Sequence, residues 1–586
     1  MKNIKRSLSA ILIAGFACLL SCSDMLETGT NAYLNTEDNR LQSDKDSLYS
    51  VIGILKQLQP LGDRYVLLGE LRGDLTEVTE NADMDMQAIA GFTATADNSY
   101  LSTREYYAVI NNCNYFLQHV DTTIVSAGRR VMLGEYVVVK AIRAWTYLQL
   151  GLNYGKAVWL TDPLLTIDDM NKEYEELPLE TLLPRLIADL SPYPGITDLP
   201  GYGNINGVPA SFLFIPVPVL LADLFLWQGT LTGDRAAYTE AARCYYQWFR
   251  SEGYFRPAYL YNSYMSADFM NVSTSWTNVY SYSFTGEHVS VIAQNSKFTE
   301  SPKIYPTSLW CIPSNTAETY RIKPSQAAMN LWQNEMYTYY RETQKDILYT
   351  RGDLRGRDIR PQSLSTNLGS YNYVSINGSD SVPYIAKYGY YLSGGGSVFL
   401  APNVSIYRSG LLYLRYAEVL NALGKPSLAF AVLKYGLKRE VLIDAHKVAP
   451  GEIDPLPDYC NFMDESFSVS PSNRGLHARG SGDVERDTVY YAFTPQTLAE
   501  NAAYYGMPAK LENKQDSMEF VNVMICKELG LETAFEGNRF HDLMRLSRFY
   551  EQLTGKTDFL SQWVGRRNPA LEGKLLDSGN WYLPRK

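Results

Sequence analysis

Glu528, Glu532 and Glu536 recur every four residues, a spacing that sets three carboxylates on one face of a helix. Carboxylates so placed suggest two kinds of chemistry. A pair could serve as acid and base in glycoside hydrolysis. Alternatively, Arg539 and Arg545, just beyond Gly537, could pair with them and clamp the C-terminal helices together. Three glutamates in register with arginines favour the clamp. No catalytic residue is therefore expected, and the chain is not read as an enzyme.

The other reactive residue types point the same way. The five histidines, His119, His288, His446, His477 and His541, are far apart and none forms an i, i+4 metal pair. Each is expected at the surface or at a helix end. No metal site or cofactor is expected, although Asp and Asn scattered through the loop segments would permit a structural calcium ion. Gly555-Lys556-Thr557 has the look of the end of a phosphate-binding loop. Tyr550 stands where that loop needs glycine, so the cradle of backbone amides is missing. No Gly-x-Ser-x-Gly elbow occurs for a hydrolase serine.

One cysteine has a chemistry of its own. Lys2, Lys5 and Arg6 precede an apolar run from Leu8 to Leu20, and Leu19-Leu20-Ser21-Cys22 has the form of a bacterial lipobox. Residues 1–21 are read as a lipoprotein signal peptide, removed when Cys22 is acylated. Several acyl chains on one residue hold a protein stably on a membrane, where one alone would not. Cys113, Cys244, Cys311, Cys460 and Cys526 are scattered without metal or disulfide spacing and are expected mostly as small buried hydrophobes. No second stretch is expected to cross a bilayer.

The chain carries 53 basic and 63 acidic residues; without Lys2, Lys5 and Arg6 the balance is 50 − 63 = −13. Such acidity gives no general attraction to nucleic acid. Aromatic residues are abundant, with 45 Tyr, 9 Trp and 21 Phe. Tyrosine suits binding surfaces and large cores equally, so composition alone decides neither.

The elements that must position these residues are mainly helices. A polar tether after Cys22 leads into a first helix over about Ser47 to Leu58. Helical spacing recurs at Tyr106, Ile110, Cys113 and Leu117; at Val137, Ala141, Ala144, Trp145 and Leu148; and at Val217, Leu220, Leu221 and Leu224. It continues at Ala241, Tyr245, Trp248 and Phe249, past a Gly233-Asp234 turn, then at Leu412, Tyr416, Val419, Leu420 and Leu423, and at Val521, Met524, Ile525 and Leu529. No strict 34-residue period is present. The fold class is therefore mainly α: an irregular tetratricopeptide-like scaffold of helical hairpins with long, aromatic, loop-rich insertions. Three regions follow the signal: an N-terminal helical region 22–250, a loop-rich aromatic region 251–404 and a C-terminal helical region 405–586. Ser393-Gly394-Gly395-Gly396-Ser397 and the stretch from Val448 to Ser481 are expected as loops.

Ordered motifs along this scaffold resemble the SusD/RagB family. Glu70-Leu71-Arg72-Gly73-Asp74 looks like its Glu-Leu-x-x-Asp element, and Tyr107 to Ile110 with Asn111 and Asn114 looks like its Tyr-x-x-Ile-x-x-x-Asn helix. Gly134-Glu135, then Arg143-Ala144-Trp145 and Tyr154-Gly155, resemble its hallmark helix, with Ala157-Val158-Trp159-Leu160 in place of the usual Val-Pro-Leu run. Lys387-Tyr388, Tyr407-Arg408 and Leu412 to Glu418 resemble the opening of its C-terminal half, without the usual second Ala-Glu. Glu528, Glu532, Phe535 to Arg539, Asp542-Leu543 and Arg545 resemble its closing signature, with Leu529 and Thr533 where Arg and Leu are usual.

The resemblance implies a lipoprotein anchored through Cys22 on the outer face of a Gram-negative outer membrane. There it would cap a TonB-dependent, SusC-like barrel and hand it oligosaccharide. A peptide-binding relative of the same family and a lipid-anchored glycoside hydrolase are the alternatives. The resemblance also implies a ligand face displayed by the N-terminal pre-helix loop and the central region. On that basis Tyr100, Trp276, Tyr280, Tyr282 and Trp310 are nominated as stacking rings, with Asn98 as a polar partner.

Overall fold

Helices frame the chain at both ends, and short strands fill its middle. The structure is a computed structural model. It describes residues 44–126, 129–130, 132–193, 200–205, 208–250, 287–293, 320–341, 344–356, 369–376, 380–391, 398–400, 403–463, 475–493 and 504–585. Cys22, Cys311, Trp276, Tyr280, Tyr282, Trp310 and the glycine run at 393–397 lie outside the described residues.

The first helix, α1 (Asp44–Glu70), is longer than expected and continues through Pro60. Proline removes one helical hydrogen bond. Yet Val51, Leu55, Leu58, Leu61, Tyr65 and Leu68 keep a buried stripe on both sides of it, so tertiary packing holds the turn together. After β1 (Thr76–Val78) come α2 (Met84–Ala90), α3 (Arg104–His119) and α4 (Leu133–Tyr154). Gly155, at φ 76°, ends α4 in the left-handed conformation that favours glycine. The expected apolar strand follows as β2 (Lys156–Val158), paired antiparallel with β3 (Glu176–Pro178).

Next come α5 (Leu179–Leu190), α6 (Val217–Thr232) and α7 (Arg235–Arg250). The two-residue link at Gly233-Asp234 folds α6 and α7 into a hairpin, as the spacing predicts. Against expectation, Ala210–Thr232 is long and apolar enough, by length and composition, to cross a membrane. Most of its side chains are buried inside the protein, so they serve the core.

The middle region departs most from the sequence reading. Where loops are expected, the described residues form β4 (His288–Ala293), β5 (Ile322–Pro324), α8 (Gln326–Gln333), β6 (Met336–Arg341), β7 (Asp346–Arg351), β8 (Tyr371–Ile376), β9 (Asp380–Ile385) and β10 (Asn403–Arg408). The strands pair antiparallel in twos: β1 with β5, β6 with β7, β8 with β9, and β4 with β10. Tyrosine, threonine and valine fit pleated, half-buried surfaces, which explains why a Tyr-rich stretch forms hairpins.

Helices then return as α9 (Ser409–Ala422), α10 (Pro426–Lys434), α11 (Lys514–Thr533), α12 (Arg539–Thr554) and α13 (Phe559–Gly565). The expected loop from Val448 to Ser481 contains short helical turns at Pro450–Ile453, Asp458–Cys460 and Ala478–Ser481. Helix α12 packs on both α1 and α6, bringing the two ends of the chain into contact. One hydrophobic cluster runs from Val51 to Leu583. Cys113, Cys244, Cys460 and Cys526 are buried and unpaired, as expected. The fold class is as the periodicity predicts, mainly α with an irregular helical-hairpin scaffold.

Candidate ligand face and its ionic frame

The three glutamates lie inside a buried ion network, and its cations are not the ones expected. Arg355 reaches Glu528 at 2.8 Å and Glu532 at 3.2 Å, while also pairing with Asp353. Arg408 joins Glu532 at 2.8 Å, Glu536 at 2.7 Å and Glu287 at 2.7 Å. Arg479 bonds Glu287 at 2.9 Å and lies 3.2 Å from Glu532, and Lys387 closes on Glu536. Burial opposes ionisation of each carboxyl. The cations override it, so Glu528, Glu532 and Glu536 are all held below the usual carboxylate range. Carboxylates fixed in that state, without exposure to solvent, have no proton to donate to a leaving group. They brace the fold.

Arg539 and Arg545 clamp other parts. Arg539 binds Asp74 through paired bonds of 2.6 and 2.9 Å, joining the C-terminal signature to the Glu-Leu-x-x-Asp element. Arg545 grips Glu418 through bonds of 2.7 and 2.8 Å and Asp542 at 2.7 Å. Arg72 donates to Trp581 O at 2.9 Å and Asn153 Oδ1 at 2.6 Å. Tyr388 donates to Phe535 O at 2.7 Å. Gly537 is required by close approach: it adopts φ 95°, and a Cβ there would lie 2.9 Å from the Tyr65 ring. In the N-terminal half, Arg143 links Asp189 and Asn114 at 2.7 Å each, and Asn111 holds Leu164 N at 2.6 Å. The motif residues thus hold helices and loops in place.

His288 departs from the expected surface or helix-end placement, while His477 occupies the N-cap of the short turn Ala478–Ser481 and His541 lies in the first turn of α12. His288, His477 and His541 are buried, whereas His446 is exposed and His119 occupies the last turn of α3. His477 Nδ1 contacts Glu528 at 2.8 Å, and its ring stacks on Tyr491 at 3.6 Å. Burial and the nearby Arg72, Arg415 and Arg545 push His541 well below its ordinary value. Its neutral Nε2 accepts from Arg72 Nη2 at 3.1 Å. Among the described residues no His, Cys, Asp or Glu cluster could hold a metal ion. Gly555 is a left-handed helix cap at φ 74°, not part of a phosphate cradle.

Glu70 differs from the network carboxylates. Gly537 N donates to its Oε1 at 2.8 Å, but its other oxygen has no partner. Burial pushes it up to about 7. Between about pH 4.3 and 7 the folded state therefore binds the extra proton, and stability falls as pH rises through that window. Glu70→Gln keeps the acceptor and removes the titration. It is expected to gain up to about 3 kcal/mol over the parent at pH 8 and almost nothing near pH 4.5, measured by urea unfolding at both.

Braced by this frame, one surface groups ring, acid and base. Asp83 caps α2, accepting from Met86 N at 2.8 Å. Its Oδ2 also accepts from the Tyr100 hydroxyl at 2.7 Å and lies 3.5 Å from Arg321 Nη1. Tyr100 is partly exposed, and Met84, next to Asp83 in the chain, is 84% exposed. Asn98 is buried: its side chain donates to Asp85 O at 2.8 Å and accepts from Tyr100 N at 3.1 Å, setting the short turn Ser99–Leu101. Asn98 and Tyr100 come together, Asn98 as the brace of the turn that presents the ring. Thr79 Oγ1 and Asn81 Nδ2 both donate to Tyr320 O, fixing the segment that leads through Arg321 into β5. The face offers an apolar ring, a carboxylate and a guanidinium side by side, groups that can orient hydroxyls on a small polar ligand. Asp83 was legible as an N-cap ahead of Met86 and Ile89; nothing in the sequence marks Arg321.

Solved structures reproduce this arrangement of helices over nearly its whole length. A SusD superfamily protein from Bacteroides vulgatus is 14% identical, covering 90% of this chain and 92% of its own, with a TM-score of 0.53. The chain has the SusD fold. NanU of B. fragilis shares that fold at 15% identity, with 92% and 94% covered and a TM-score of 0.51. A further B. vulgatus protein, whose name proposes sugar binding, is 17% identical, with 87% and 88% covered and a TM-score of 0.50. No family model matches the chain, and no curated protein does either. At this level of identity, the SusD likeness is one of architecture.

Proposed function

We propose that this chain binds glycans at the cell surface and passes them to a TonB-dependent outer-membrane barrel. The SusD fold carries the reading, since one protein of that fold bears a name proposing sugar binding. The state of Glu528, Glu532 and Glu536 supports binding over hydrolysis, because none is poised as an acid. Sugar rings would pack their C–H faces on Trp276, Tyr280, Tyr282, Trp310 and Tyr100, with hydroxyls oriented by polar groups such as Asp83 and Arg321. No cofactor takes part in such binding. Native gels cast with individual polysaccharides test this function. Retardation without new reducing ends is expected. Released reducing ends would indicate a hydrolase, and retention of peptides alone would indicate a peptide carrier.

Anchoring follows from Cys22. A body acylated there would sit on the outer membrane facing outward, beside its barrel. The Cys22→Ser chain is expected to leave the membrane fraction and to lose labelling by a membrane-impermeant reagent on intact cells. Unchanged outer-membrane partition and labelling would refute the anchor.

A further inference from the structure

Nine large hydrophobic side chains are exposed among the described residues, and three of them fall together: Leu165, Ile167 and Met170, at 56%, 77% and 71%. They stand on the segment 159–175 that links β2 to β3, where Ile167–Met170 forms a single helical turn. Three residues apart, Ile167 and Met170 share a face of that turn. Leu165 and Met170 flank the N-cap Thr166 at the two positions of a hydrophobic staple, which draws Leu165 to the same side. A staple accounts for two apolar residues, not for Ile167 as a third. The segment is also firmly held. Asn111 bonds both Leu164 N, at 2.6 Å, and Leu164 O, at 3.3 Å, and Asn114 donates to Leu160 O at 2.9 Å. Thr166 and Asp169 close a capping box, and the Tyr174 hydroxyl donates to Asp169 O at 2.8 Å.

Charge limits what such a patch can meet. Residues 159–175 carry five carboxylates and one cation. Lys172 pairs with Asp169 at 2.7 Å, and Arg185 pairs with Glu175 at 2.9 Å. Asp162, Asp168 and Glu173 are exposed and enter no ion pair among the described residues. We propose that this turn docks into a partner protein presenting an apolar socket rimmed by Lys or Arg. The three apolar side chains fill the socket, and the three free carboxylates meet its rim. An anionic lipid surface, or a second copy of this acidic chain, would face like charge. Because hydrogen bonds already fix the segment, docking has little chain left to order. The surface goes beyond the glycan reading and stands whether or not a sugar binds.

Site-specific photo-crosslinking of the full, membrane-held chain in intact cells of the native host tests the surface. A benzophenone side chain placed at position 167 is expected to give one discrete protein adduct. Mass spectrometry should find the crosslinked segment of that partner to hold apolar residues flanked by Lys or Arg. Asp168→Lys combined with Glu173→Lys should cut the adduct about tenfold, since rim charges govern encounter. Both positions are exposed, so the unfolding midpoint should not move with them. The same probe at Ile443, exposed to 64%, should not yield that adduct. Adducts with lipid alone or with a second copy, no adduct at all, or a yield indifferent to the charge reversal would each overturn the proposal.

Discussion

Arg408→Ala is expected to destabilise the folded chain by about 3–5 kcal/mol, the usual cost of stripping one partner from a buried ion network. Arg408 touches Glu287, Glu532 and Glu536 at once, and its side chain is 1% exposed. Removing it leaves three buried carboxylates with fewer cations than they need. Against a typical stability of about 5–15 kcal/mol, that loss should lower the urea midpoint sharply. Lys172→Ala is the control, because it breaks an exposed pair with Asp169 whose lysine is 61% accessible. It should leave the urea midpoint almost unchanged, because solvent screens an exposed pair. Equal effects for the two variants would show that the network does not hold the fold. Acid should act on the same site. The network carboxyls are depressed in the folded state, so their stabilisation is fully present above about pH 4.3 and is lost as pH falls toward their folded values.

Trp276→Ala and Trp310→Ala are each expected to weaken glycan binding about 30-fold, the effect of losing an anchoring ring worth about 2 kcal/mol. Titration of the best-retained glycan against each variant measures this, with thermal unfolding as a check that the fold persists. A stacking ring gives most of its contact to the ligand, so affinity should fall while the unfolding midpoint stays put. Unchanged affinity in both would place the ligand elsewhere, even if glycan binding itself were correct.

Helical periodicity was the most legible part of the sequence. The runs through Val137 to Leu148 and Val217 to Leu224 form helices buried on nearly every side, because segments this apolar must lie inside the core. The middle region was opaque for the opposite reason. Its hairpins are short, and Met336–Arg341 and Asp346–Arg351 carry too few residues for alternation to stand out from a polar, Tyr-rich loop. Charge pairing was half legible. The four-residue spacing placed Glu528 and Glu532 on one helix face but carried no information about Arg355, Arg408 and Arg479, which arrive from distant positions. Asp74 and Arg539 meet across 465 positions, a contact that only the fold reveals. At the candidate ligand face, Tyr100 was visible as a ring on a pre-helix loop. Its partner Arg321 was not, since a lone arginine at the edge of a two-stranded pair has no local signature.

Buried charges build the body, and the proposed function assigns the ligand to Tyr100 and the aromatic side chains of region 251–319. A crystal structure of the mature protein with its best-retained glycan tests that division most directly. The sugar is predicted to lie against Tyr100 and the aromatic side chains of region 251–319, with Glu528, Glu532 and Glu536 still buried in their pairs. A sugar seated on those glutamates, or a network opened to admit it, would contradict the account.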